Sequence, residues 1–94
     1  MTLWITEVAA AEIAEAISYI AAHNSKAANA LQEEIEATFS RICEHPKSAP
    51  IVYKGEVRAA IAGRFDYRIF YAIDQNRIII RNVRSMKRQR PWER

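Results

Sequence analysis

Two glycines and one cysteine among 94 residues close off several chemistries at once. The glycines, Gly55 and Gly63, stand eight positions apart and build no phosphate-cradling loop. A lone Cys43 forms no internal disulfide and supplies no zinc cluster, and no His/Cys group has metal-ligand spacing. Apolar runs are short, as at residues 8–11 and 78–80, whereas a transmembrane helix needs roughly 20 predominantly apolar residues. The start, Met1-Thr2-Leu3-Trp4, lacks a basic n-region and an h-region, so no signal peptide is expected. No repeat, Gly/Ser linker or low-complexity tract marks a boundary. One domain spanning residues 1–94 is expected, with no metal, no cofactor, no membrane partner and a reducing, cytoplasmic address.

What is present is enough for one core, since half of the residues are hydrophobic. The charge is unevenly placed. Residues 1–46 carry seven acids against Lys26 and Arg41, a net of −5. Residues 47–94 carry three lysines and nine arginines against four acids, a net of +8. That polarity points to a polyanion or an acidic partner for the second half, and the preponderance of arginine favours recognition over a merely solvated surface.

The first half reads as helical. Residues 3–6 form a short strand, and Thr6 then caps a helix over residues 7–23, with Glu7 complementing its dipole. Ile13, Ile17 and Ile20 recur at helical spacing among alanines. Asn24 or Ser25 caps a second helix, whose apolar stripe is Leu31, Ile35, Phe39 and Ile42 and which Pro46 stops near Glu44. So short a turn makes the two helices an antiparallel hairpin.

The second half changes period. Pro50 and Gly55 punctuate a loop, and strands follow over residues 57–61, 67–73 and 77–84, the last two joined by the turn at Asp74-Gln75-Asn76. The expected fold is α+β in the order β-α-α-β-β-β: a helical hairpin on one face of a small, mainly antiparallel sheet, then a basic C-terminal tail. Strict alternation puts Tyr67, Ile69, Tyr71 and Ile73 on one face and Phe70 and Ala72 on the other, with Ile78 and Ile80 opposed to Ile79 and Val83. Two helices cover one face only, so an apolar strip is left for the tail or for a partner.

Little here suggests acid–base chemistry. His23 and His45 fall at predicted helix ends, where histidine caps or offsets the dipole. Cys43 lies within a turn of Phe39 and Ile42 and belongs at the core or its edge. Metal-free cleavage of a phosphodiester needs cations, and Arg58, Arg64, Arg81, Arg84 and Arg88 are candidates to converge at one edge of the sheet. A base is harder to name: Lys54, Tyr53 and Tyr71 are available, and an unperturbed lysine or tyrosine side chain loses its proton only near pH 10, so burial or neighbours would have to shift it. Phosphate or acidic-surface binding without catalysis is the simpler reading, and Trp92 is placed to stack on a base or anchor in a pocket.

The chain resembles the RelE/ParE toxins of type II toxin–antitoxin systems. The likeness rests on the element order, on Tyr19-Ile20-Ala21-Ala22-His23-Asn24-Ser25-Lys26-Ala27-Ala28, and on Gly55-Glu56-Val57-Arg58. It continues through Tyr67-Arg68-Ile69-Phe70-Tyr71 and Ile78-Ile79-Ile80-Arg81-Asn82-Val83-Arg84, and so covers nearly the whole chain. RelE-type members are ribosome-dependent messenger-RNA endonucleases, whereas ParE-type members poison DNA gyrase without nuclease activity. For a RelE-like site the resemblance offers Lys54, Arg58, Arg64 and Arg84. The C-terminal tyrosine of that type is missing, and Ser85 stands where many members have histidine; both departures count against RNA cleavage. The end Arg90-Pro91-Trp92-Glu93 is similar to the Arg/Trp-containing ends of ParE-like, plasmid-stabilising chains.

The resemblance implies a toxin wrapped by a cognate antitoxin and inhibiting DNA gyrase when free. The alternatives are a RelE-like endonuclease acting on ribosome-bound mRNA, or a non-toxic binding module of the same fold. On the ParE-like reading no catalytic residue is expected. Arg84, Lys87, Arg88, Arg90 and Trp92 form the target-facing group, and Phe70, Ile79 and Val83 with Arg58, Arg68 and Arg81 form the antitoxin surface.

Overall fold

In a computed structural model of the chain, residues 1–87 are described. Strand β1 (Thr2–Ile5) runs straight into helix α1 (Glu7–Ala21), because Thr6 stays extended and its hydroxyl accepts from the Ala9 N–H. Asn24 does the same for α2 (Ser25–Glu44), accepting from the Ala27 N–H. Strands β2 (Ile51–Tyr53), β3 (Val57–Ala62), β4 (Tyr67–Asp74) and β5 (Arg77–Ser85) follow, with a 3₁₀ turn at Gly63–Phe65 between β3 and β4. The sheet order is β1-β5-β4-β3-β2; β1 is parallel to β5 and every other pair is antiparallel.

The α+β architecture matches the expectation, with two differences. Helix α1 ends at Ala21, two residues early, and a fifth strand, β2, occupies part of the expected loop. Gly55 at φ +77° and Glu56 at φ +57° turn the chain back, so that Ile51 and Tyr53 pair with Arg58 and Val57. Three residues between a proline and a turn carry no legible alternation, which is why this edge strand is invisible in sequence.

Both helices lie on one face of the sheet. There Ala9 and Ala16 of α1 and Leu31, Ile35 and Ile42 of α2 pack on Ile69, Tyr71, Ile78, Ile80 and Val83. Thr38 takes the inner position beside the expected Phe39, which is only half-buried, and its hydroxyl donates to the Glu34 carbonyl at 2.8 Å. Cys43 packs against this core from its edge.

Val83 corrects the expected alternation. The register of β4 with β5 slips between Phe70 and Tyr71, which pair with Asn82 and Ile80, so Arg81 is the extra residue of a β-bulge. One inserted residue reverses every later side chain. Val83 therefore joins Ile78 and Ile80 in the core at 2% exposure and leaves the face expected to receive an antitoxin.

The same region explains how β5 closes its outer edge. β1 pairs only with residues 77–80, so the upper half of β5 has no strand outside it. Side chains fill in: the Thr6 hydroxyl donates to the Arg81 carbonyl (3.2 Å), and Glu12 of α1 accepts the Val83 N–H (2.9 Å). Glu12 also takes Asn82 Nδ2 at 3.2 Å and, on its other oxygen, Arg84 Nε at 3.2 Å. Glu12→Ala leaves a part-buried backbone donor without its acceptor, so an urea melt should show a loss of about 2 kcal/mol. Glu12→Gln keeps an acceptor for Val83 and should lose about half as much.

Candidate functional site

The face of the sheet opposite the helices carries Trp4, Val57, Ala59, Ile61, Phe70, Ala72 and Ile79, and no described helix covers it. At the β2–β3 turn this face deepens into a hollow of about 410 Å³. Val57, Phe70 and Met86 give it an apolar lining, and Tyr53, Lys54, Arg81, Asn82 and Arg84 supply its polar groups. Two local devices assemble it. The positive-φ turn at Gly55-Glu56 brings Tyr53 and Lys54 beside β4, and the bulge at Arg81 puts Arg81, Asn82 and Arg84 on the same side.

Its electrostatics are one-sided. No carboxylate, imidazole or thiol lines the hollow. Arg84 shares its charge with Glu12, while Lys54 and Arg81 have no acidic partner among the described residues. Cations beside apolar walls suit an acidic, amphipathic segment. Acid–base chemistry would have to come from Tyr53 or Lys54 alone.

The expected antitoxin residues scatter over this frame. Phe70 and Arg81 line the hollow. Ile79 lies farther along the same face, opposite Trp4, over whose ring Arg77 stacks at 4.8 Å. Arg68 is paired with Asp66 beside the exposed Ile61. Arg58 is on the helix side, where its guanidinium donates to the carbonyls of Lys47 (3.0 Å) and Ala49 (2.7 Å). With Val83 in the core, two of the six residues are taken off the open face.

The RelE-like set does not gather either. Lys54 and Arg84 share the hollow, Arg58 is spent on the loop before β2, and Arg64 sits over the Phe65 ring at 5.4 Å beside a different groove. Lys87 lines that second groove too, while Arg88, Arg90 and Trp92 lie outside the described residues. Tyr71, a candidate base, is fully buried on the helix face and donates to the Pro46 carbonyl at 2.7 Å. His45 closes α2 as its C-cap, and His23 meets the Tyr19 ring edge-on. Asn82 and Met86 were missed as site residues, because only the bulge turns residue 82 to this face and nothing in the sequence announces a bulge.

Over residues 3–90 the chain matches the family described as ParE toxin of type II toxin-antitoxin system, parDE. No curated protein matches it.

Tyr71 and Arg58 together tie residues 46–49 to the sheet. Burial pushes the Tyr71 phenol above its ordinary value, against the opposing pull of the Arg58 guanidinium. The unfolded chain loses this proton from about pH 10, whereas the folded chain still holds it. The resulting stability is complete below pH 10 and falls as the pH rises further. Tyr71→Phe should cost about 1 kcal/mol at pH 7 in urea denaturation and should soften the alkaline decline relative to wild type.

Proposed function

The chain belongs to the ParE toxin family of type II toxin–antitoxin systems, and from that premise we propose that it is a cytoplasmic, plasmid-stabilising toxin that inhibits DNA gyrase when free and is silenced by an antitoxin laid across the open sheet face. The observation that carries the antitoxin half of this reading is the hollow itself. Its apolar floor of Val57, Phe70 and Met86 is bordered by Lys54 and Arg81, cations without acidic partners among the described residues. An acidic amphipathic segment supplies both complements, burying apolar side chains on Phe70 and carboxylates against Lys54 and Arg81. Ile79 and Trp4 extend the same surface.

For the target, the reading rests on scatter. Cleavage of RNA needs several cations and a base around one phosphate. Of Lys54, Arg58, Arg64 and Arg84, two are elsewhere, and Arg58 is committed to backbone carbonyls. A binding toxin needs no such convergence. Arg84 and Lys87, with Arg88, Arg90 and Trp92 beyond them in sequence, are the proposed gyrase-facing group.

Induction without antitoxin, with new DNA and new protein pulse-labelled in parallel, tests the target. DNA synthesis should fall within minutes while translation continues; early collapse of translation would favour the ribosome-dependent endonuclease instead. The antitoxin surface has its own test. Phe70→Asp combined with Arg81→Glu should arrest growth as wild type does, yet escape rescue by co-expressed antitoxin.

A further inference from the structure

A second groove, of about 680 Å³, opens on the helix side of the sheet, where the end of α1 faces the 3₁₀ turn. Its apolar walls are Tyr19, Ile20, Phe65 and Tyr67, and Tyr19 is half exposed. Two cations line it, Arg64 and Lys87, and no carboxylate does. The Arg64 guanidinium stacks over Phe65, which leaves its in-plane N–H groups available to a ligand. Neither cation forms an ion pair among the described residues.

Tyr67 adds an independent sign. It is only 4% exposed, it lines the groove, and its hydroxyl has no hydrogen-bond partner among the described residues. A buried tyrosine hydroxyl ordinarily finds one. Phenol, guanidinium and ammonium thus all bring donors to the groove, which suits a carboxylate.

We propose that this groove docks a carboxylate-bearing, apolar peptide segment of the macromolecule that the free toxin arrests, on the face of the sheet opposite the antitoxin hollow. The identity of that macromolecule rests on the toxin reading above; the chemistry of the groove does not. The antitoxin hollow and this groove then lie on opposite faces of the sheet.

The test has two arms, both on the full chain. In the first, ¹⁵N-labelled protein from cell-free synthesis is titrated with a short peptide carrying two glutamates beside a phenylalanine, and with its lysine counterpart. The acidic peptide should shift amides at residues 19–20, 64–67 and 85–87, and the basic one should not. Arg64→Glu with Lys87→Glu should weaken binding by about tenfold or more. Tyr67→Phe should weaken it less while leaving the melting temperature in place, since it removes a hydroxyl without a hydrogen-bond partner among the described residues. Shifts centred on residues 53–57, 70 and 81–82, no shifts at all, or equal binding of the lysine peptide would overturn the proposal.

The second arm is growth after induction. The double charge reversal, confirmed as folded by its circular dichroism melt, should relieve the arrest. A folded double variant that arrests growth like wild type overturns the assignment of the groove to the target. If wild type itself leaves growth unaffected, the toxin reading fails, and the peptide titration still decides whether the groove binds carboxylate segments.

Discussion

A four-residue strand lying parallel to a nine-residue one leaves the longer strand half uncovered, and much of this molecule follows from that mismatch. Beyond Ile80 the outer edge of β5 has no neighbouring strand, so its backbone groups need other partners. Thr6 and Glu12 provide them, which fixes how α1 leaves β1 and how it crosses β5. Glu12 also holds Asn82 and Arg84, so the contact that seals the edge also orients part of the open-face hollow.

The arginines divide by what they touch. Arg41 donates to the Ile61 carbonyl, Arg58 holds two loop carbonyls, and Arg68 and Arg77 pair with Asp66 and Asp74. Those four do structural work, and as three of them belong to the second half, its strong positive charge overstates what is left for a partner. Arg81 and Arg64 remain unpaired by acids among the described residues, and they stand on opposite faces. Among the described residues the positive charge left for partners forms two small cationic sites rather than one basic surface.

Helices, caps and hairpin were legible because each depends on neighbouring residues: Thr6 and Asn24 before their helices, Leu31, Ile35 and Ile42 at helical spacing, and a two-residue turn between Asp74 and Arg77. The strand β2 was not legible, since its pairing depends on a turn at Gly55-Glu56 more than on its own three residues. Nor was the bulge at Arg81, and that single inserted residue sent Val83 inward. The candidate site was accordingly half visible. Phe70, Arg81, Lys54 and Arg84 could be named from residue type, but their convergence, and the withdrawal of Arg58, depend on contacts between segments distant in sequence.

The parallel pairing of β1 with β5 joins the first residues of the chain to some of the last. During synthesis, residues 2–5 have no strand partner until residues 77–80 have left the ribosome. Closing so long a loop comes late in folding, and the edge sealed by Glu12 and Val83 needs a closure of similar length. A nascent chain therefore lacks the completed β5 that borders both grooves, and a prematurely ended chain never acquires it. Both grooves are thus completed only when residues 77–85 are free to pair with the rest of the sheet.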